Sequence, residues 1–120
     1  MKYPYPPKAT QREIVSRLKT FFKTEEIEFF NAAMNMFFSY YEEPQPTVEW
    51  YVKLDDPKVA GLTYSNGRIE LYTPSSWKQN RKYRTRKQWL VVVLHELWHY
   101  LVWIDEERKA DEFANGFLKV

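Results

Sequence analysis

The chain contains no cysteine, only three glycines and only two histidines among its 120 residues. Without cysteine it can form no disulfide, no thiolate zinc site and no cysteine nucleophile. A hydrophobic content of 44%, with 18% aromatic residues, is typical of a folded chain rather than a disordered one. The formal net charge of +2 is too small to indicate a partner by itself. We expect one folded domain in a cytoplasmic protein.

The chain also lacks a segment that is typical of secretion or of a membrane span. Its first residues, MKYPYPPKATQREIV, contain no apolar core of a signal peptide. The most apolar segment, WLVVVLHELWHYLVWI at 89–104, is shorter than the roughly 20 residues that cross a bilayer, and charged and imidazole side chains interrupt it. We therefore expect a buried central helix here and no membrane partner.

The first third of the chain has the periodicity of helices. Three prolines predict an extended arm at 1–8. Apolar residues at helical spacing then predict two helices, at 11–22 and 25–41, with Thr10 and Thr24 as their N-caps. The apolar stripes of both helices, which are rich in phenylalanine and methionine, are expected to form core.

The periodicity changes to that of strands after residue 46. The predicted strands are 47–53, 59–65 and 68–73. Asn66-Gly67, between the last two strands, is a strong hairpin signal, and Asp55-Asp56-Pro57 predicts an earlier turn.

Helical periodicity returns from about Thr85, first in the apolar helix and then in a last helix over EERKADEFANGFLKV. The resulting element order is α-α-β-β-β-α-α. It predicts a single α+β domain over residues 1–120, with a small, mostly antiparallel three-stranded sheet.

The only two histidines, His95 and His99, lie four residues apart in the apolar helix, and Glu96 follows the first. Residues i and i+4 share one helix face, so both imidazoles can bind one Zn²⁺ ion. Zinc lowers the pKa of a bound water to about 7, and Glu96 can then act as general base and later return the proton to a leaving amine. Two histidines at this spacing can also be ordinary core or surface residues. The apolar flanks favour the metal, because unliganded polar groups are costly to bury.

The segment HELWH, preceded by predicted strands and followed by EERKADEFA, resembles the gluzincin kind of HExxH zinc metallopeptidase. Chain size and element order are most similar to the minigluzincins, and ADEFA is similar to the ImmA/IrrE-like peptidases. The resemblance covers about residues 47–117. It implies a zincin-like fold, zinc-dependent hydrolysis of peptide bonds and Glu96 as the catalytic general base. It also implies that the Zn²⁺ ligands are His95, His99 and Glu107.

The third ligand depends on the path of the chain between His99 and Glu107. In an unbroken helix these two residues would lie about 12 Å apart along the axis. Zinc binding by Glu107 therefore requires the chain to reverse near Trp103–Asp105, with Asp105 as the expected N-cap of the last helix. No glycine or proline marks this turn. The alternative third ligands are Glu106, Asp111 and Asp105.

A peptidase also needs a surface that holds its substrate and a donor that stabilises the oxyanion. The resemblance implies an extended polypeptide that lies antiparallel to an edge strand, and the predicted hairpin at 59–72 is the candidate rim. A tyrosine near the zinc could donate to the oxyanion. The candidates are Tyr100, Tyr72 and Tyr64.

Positive charge is concentrated directly before the apolar helix, in KQNRKYRTRK at 78–87. These residues oppose the helix dipole, so helix stability does not explain them. A solvated loop is the simpler interpretation, whereas a nucleic-acid site would combine the cations with Trp77 and Tyr83 for stacking. The cations of that site would be Lys78, Arg81, Lys82, Arg84, Arg86 and Lys87. The SprT-like proteases, which act on DNA-bound proteins, are a weaker resemblance because the chain lacks their additional downstream histidine.

Two other interpretations stay open. One is a binding module whose zinc is not catalytic. The other is a latent, self-inhibited peptidase in which residues 1–8 or the C-terminal GFLKV occupy the cleft. The sequence does not determine the oligomeric state.

Overall fold

The computed structural model describes residues 4–51, 60–79 and 85–120, and within them the fold is α+β as predicted. The elements are α1 (Lys8–Thr24), α2 (Ile27–Tyr41), β1 (Thr47–Tyr51), β2 (Gly61–Thr63), β3 (Arg68–Tyr72), α3 (Pro74–Gln79), α4 (Arg86–Val102) and α5 (Glu107–Phe117). The short helix α3 was not predicted. None of the described helices combines the length and the hydropathy that a membrane crossing needs.

The two N-terminal helices form the predicted helical hairpin, but their caps differ from the prediction. Helix α1 begins at Lys8 with Pro7 at its N-cap, so Thr10 lies inside the helix. Its left-handed C-cap residue, Glu25, turns the chain into α2. The Thr24 hydroxyl accepts a hydrogen bond from the Glu26 N–H just before α2, whose N-cap residue is Glu26.

Strand β3 occupies the centre of a mixed sheet. It pairs in parallel with β1 and antiparallel with β2. The sheet is therefore not mostly antiparallel, because the hairpin places β3 rather than β2 beside β1. Strand β2 is an edge strand of the sheet that the described residues form.

The predicted Asn66-Gly67 hairpin is confirmed. Gly67 has a φ of 85°, and the Asn66 side chain accepts a hydrogen bond from the N–H of Arg68. The strands are shorter than predicted where they can be compared. Predicted strand residues 52, 53 and 59 and the predicted turn at 55–57 lie outside the described residues.

One apolar core joins the helical hairpin, the sheet and α4. The Phe21 ring lies 5.3 Å from the rings of both Phe30 and Trp50 and 5.9 Å from that of Trp89, so α1, α2, β1 and α4 meet at this side chain. Helix α4 is apolar on most of its circumference, which is typical of a buried helix. The histidine-bearing helix is therefore held by packing on several sides.

The chain is anchored to the core where the positively charged segment 78–87 begins. Trp77 is fully buried, and its indole N–H donates to the Thr85 carbonyl over 3.0 Å. Lys78 Nζ donates to the Phe22 carbonyl and lies over the Phe22 ring. The predicted stacking role of Trp77 is therefore wrong, because its ring is core. Arg81, Lys82, Tyr83 and Arg84 lie outside the described residues.

Replacement of Trp77 tests its assignment to the core. We expect Trp77→Ala to lower the free energy of unfolding by about 3–5 kcal/mol, because it removes a buried indole and leaves a cavity. Urea denaturation monitored by circular dichroism measures the change. Trp103→Ala is the matched control, since Trp103 is 53% exposed. A Trp77 effect as small as that of the control would contradict the burial.

Candidate metal centre

Helices α4 and α5 bring three predicted ligands to one point. His95 Nε2 lies 3.0 Å from His99 Nε2. The carboxylate of Glu107, the first residue of α5, lies 2.7 Å from His95 Nε2 through Oε2 and 3.0 Å from His99 Nε2 through Oε1. These three side chains are the group among the described residues whose donor atoms are close enough to hold one metal ion.

The chain reverses between α4 and α5, as the ligand assignment required. Helix α4 ends at Val102, and Trp103 adopts a left-handed conformation with a φ of 56° while its N–H donates to the His99 carbonyl. A non-glycine residue rarely adopts this conformation, so the sequence carried no conventional signal for the turn. The N-cap residue of α5 is Glu106 rather than the predicted Asp105, and its side chain makes no cap hydrogen bond.

Both imidazoles are oriented through their Nδ1 atoms. His95 Nδ1 lies 2.8 Å from an oxygen of Asp111, and His99 Nδ1 lies 3.0 Å from the Ile104 carbonyl oxygen. An ionised carboxylate and a carbonyl can only accept, so each Nδ1 carries the proton and donates it. In this tautomer the Nε2 atom of each ring presents a lone pair to the centre, as metal-binding histidines do.

The centre of the cluster is rich in acceptors and poor in donors. Two imidazole lone pairs and two carboxylate oxygens face one another at hydrogen-bond distances. Such an arrangement of acceptors suits a metal ion that lies between the atoms. The cost of leaving it uncompensated is high, because both imidazole side chains are only 12% exposed.

The donor set fits Zn²⁺. A tetrahedral zinc ion with ligand distances of about 2.0–2.1 Å separates its donor atoms by about 3.3 Å. The two Nε2 atoms are 3.0 Å apart, and each lies 2.7–3.0 Å from a different oxygen of Glu107, so these distances are a few tenths of an ångström below that separation. Two imidazoles and one carboxylate would occupy three positions of a tetrahedral zinc ion, and no described side chain fills the fourth.

Glu96 lies beside the ligands but is not one of them. Its Oε2 is 4.0 Å from His95 Nε2, while its Oε1 accepts a 2.8 Å hydrogen bond from the Thr63 hydroxyl. Burial raises the pKa of this carboxyl, whereas the Thr63 hydrogen bond and the nearby imidazoles act in the lowering direction. A buried carboxylate with a raised pKa is suited to accept and return a proton.

Strand β2 approaches α4 closely enough to hold Glu96 in place. A Cβ atom on Gly61 would lie 3.1 Å from both Glu96 Cγ and a Val92 methyl, so only glycine fits without displacement. Sequence analysis did not identify Gly61 and Thr63, because their role arises from packing between segments more than 30 residues apart. The position of Thr63 within the predicted hairpin was the only available signal.

The cluster lies in a cleft of about 720 Å³ between β2 and the α4–α5 turn. Its rim carries exposed apolar side chains, namely Leu62, Trp103 and Ile104. The unpaired edge of β2 borders the cleft, since within the described residues β2 pairs only with β3. The cleft therefore offers an open backbone edge beside the three ligands.

The alternative third ligands occupy other positions. Asp111 orients His95 from its Nδ1 side, Asp105 lines the cleft, and Glu106 forms an ion pair with Lys109 at 3.2 Å. None of these three belongs to the group of described residues that could share one metal ion. The geometry favours Glu107.

The three tyrosines considered for the oxyanion do not line the described part of the cleft. The Tyr100 hydroxyl donates to the Pro44 carbonyl. Tyr72 is buried against Trp77, and Tyr64 packs under the Arg68 guanidinium. The prediction of a tyrosine donor is therefore wrong for these three in the arrangement described.

Comparison with known proteins gives no family assignment. No protein-family model matches the chain, and no curated protein and no solved structure matches it significantly.

The role of Asp111 can be tested through metal affinity. We expect Asp111→Ala to weaken Zn²⁺ binding by about 10- to 100-fold, because His95 loses the carboxylate that fixes its tautomer and orientation. Isothermal titration calorimetry measures the change. Glu112→Ala is the matched control, since Glu112 is an exposed acid on the same helix and pairs with Arg108. Equal affinities for the two variants would contradict the orienting role.

Proposed function

We propose that this chain is a zinc-dependent metallopeptidase of the gluzincin kind, which hydrolyses peptide bonds in polypeptide substrates. The observation that carries the proposal is the convergence of His95, His99 and Glu107 on one point, with the buried carboxylate of Glu96 beside them. A site with three protein ligands and one open position is typical of catalytic rather than structural zinc.

The roles of the residues follow from their positions. His95, His99 and Glu107 would hold Zn²⁺, which supplies a Lewis acid that polarises a carbonyl and acidifies water. Glu96 takes a proton from the attacking water and delivers it to the departing amine. The Thr63 hydroxyl engages one carboxylate oxygen of Glu96 and leaves Oε2 on the side of the ligands.

The substrate class is supported by the edge strand. An extended polypeptide can add to the edge of β2 that pairs with no described strand, through backbone hydrogen bonds that demand little of the substrate sequence. Exposed Leu62, Trp103 and Ile104 then provide apolar contacts for substrate side chains. Polar ligands at the floor and apolar residues at the rim are typical of a cleft that binds an organic substrate.

The geometry gives less support to a latent form. Tyr5 packs against Phe113 and Phe117 and donates to the Phe113 carbonyl, while the Tyr41 hydroxyl donates to the Pro4 carbonyl. The described part of the N-terminal arm therefore lies against α2 and α5. Residues 116–120 are likewise absent from the described lining of the cleft.

A binding module with a non-catalytic zinc is the second candidate function. It uses the same ligands and differs only in giving Glu96 no role in proton transfer. A cytoplasmic location, which the lack of cysteine fits, is part of either proposal.

Replacement of Glu96 distinguishes the two candidates. We expect Glu96→Gln to lower cleavage of an unfolded polypeptide, such as fluorescein-labelled casein, by at least about 100-fold, because the amide cannot accept the proton. Zinc content should stay near that of the unmodified chain, since Glu96 is not a ligand. Fluorescence release and metal analysis on the same samples provide the two measurements. Stoichiometric zinc with no cleavage by either form would support the binding module or a latent peptidase.

Thr63 gives a finer control on the same assay. Thr63→Val keeps the side-chain shape but removes the donor to Glu96, and we expect kcat to fall about tenfold with little change in KM. Thr63→Ser should retain most of the activity because it retains the hydroxyl. A loss of activity in the serine variant as large as in the valine variant would contradict this positioning role.

A further inference from the structure

A second cleft, of about 560 Å³, has a different chemistry and shares no lining residue with the first. We call it the cationic groove. Its charged residues are Arg12, Lys19, Lys23 and Arg86. The other lining residues are Val15, Ser16, Thr20, Thr24 and Val120, so no described side-chain carboxylate lines it.

The cations of α1 form a regular row. Arg12, Lys19 and Lys23 are spaced i, i+7 and i+11, which places them on one face of the helix. At 1.5 Å per residue the successive separations along the axis are about 10 and 6 Å. The groove thus presents positive charge repeatedly over about 16 Å, rather than at one point.

These charges are not neutralised within the described part of the chain. The arginines and lysines there that form ion pairs are Arg17, Arg68, Arg108 and Lys109, all outside the groove. No ion pair is formed by Arg12, Lys19, Lys23 or Arg86 with a described carboxylate.

Besides repelling the other cations of the groove, Arg86 interacts unfavourably with the dipole of helix α4. It begins α4 together with Lys87, and the first turn of that helix contains no acidic residue. Positive side chains at a helix N-terminus oppose the helix dipole. An anion in the groove would offset both the repulsion between the cations and this opposition.

We propose that the cationic groove binds the sugar–phosphate backbone of a nucleic acid. A row of unpaired cations matches a ligand whose negative charges repeat along its length.

The composition of the groove disfavours a membrane surface. Membrane-bound helices bury an apolar face in the lipid, but the apolar residues of α1 are already in the protein core. Of the large exposed hydrophobic residues that the structure describes, Val120 alone lines the groove, whereas Tyr5, Leu62 and Trp103 lie outside it. Binding is independent of base sequence, because the groove offers cations and hydroxyls and no aromatic side chain among its described residues.

Salt dependence of DNA binding tests the proposal. Fluorescence anisotropy with a labelled 20-base-pair duplex of arbitrary sequence gives the affinity of the full chain between 50 and 200 mM NaCl. Four phosphate contacts predict a slope of log K against log salt of about −3.6, which is a roughly 150-fold loss over this range. We expect Lys19→Gln alone to reduce the steepness by about 1. Replacement of all four cations in one variant should remove the whole salt dependence that the four phosphate contacts contribute. This variant combines Arg12→Gln, Lys19→Gln, Lys23→Gln and Arg86→Gln.

A charge-matched control separates the groove from net charge. The set Arg17→Gln, Arg108→Gln, Lys109→Gln and Lys119→Gln removes the same four charges outside the groove and should bind DNA nearly as well as the unmodified chain. Circular dichroism checks the folding of both sets, and the single variants decide the question if a quadruple variant does not fold.

Three results would overturn the proposal. One is equal loss of DNA binding in the two quadruple variants. Another is binding to phosphatidylserine vesicles without binding to DNA, which would identify a membrane. The third is competition by polyglutamate as strong as that by DNA at equal charge, which would identify an acidic polypeptide.

Discussion

The candidate metal centre depends on the reversal of the chain between α4 and α5. Trp103 holds a left-handed conformation, and its N–H donates to the His99 carbonyl. Helix α4 therefore ends at Val102, the residue before Trp103. The next residue, Ile104, presents its carbonyl to His99 Nδ1. The turn therefore does three things at once: it ends the helix, orients one imidazole and returns the chain so that Glu107 meets both histidines.

The rest of the fold makes this arrangement rigid. Helix α4 is packed against α1, the sheet and α5, so the face that bears the histidines has a fixed direction. Strand β2 approaches α4 where Gly61 leaves room, and Thr63 reaches Glu96 from the same strand. Helix α5 contributes both Glu107 and Asp111, one turn apart, so a single helix supplies a candidate ligand and the partner that orients another candidate ligand. Preorganisation of this kind keeps the cost of assembling a site low when a ligand binds.

The sequence was informative where the signal is local. The spacing of His95, Glu96 and His99 depends only on helix geometry, and the Asn66-Gly67 hairpin depends only on turn chemistry, so both were predicted. The contact of Thr63 with Glu96 could not be predicted because it joins segments that are distant along the chain, and that of Asp111 with His95 depends on the path of the turn before α5. The turn at Trp103 was expected only because zinc binding by Glu107 required it, since a left-handed tryptophan has no sequence signal. Trp77 was misinterpreted for a related reason: its basic neighbours indicated an exposed segment, whereas its own ring is in the core.

We propose that the turn makes Glu107 a third zinc ligand beside the two histidines. The most direct test is the amount of Zn²⁺ bound per chain after dialysis, measured by elemental analysis for the unmodified chain and for His99→Ala and Glu107→Ala. We expect one Zn²⁺ per unmodified chain and a substoichiometric content in both variants, with all three chains folded. Retention of one Zn²⁺ per chain in Glu107→Ala, together with loss in His99→Ala, would contradict the three-ligand assignment and leave only the histidine pair.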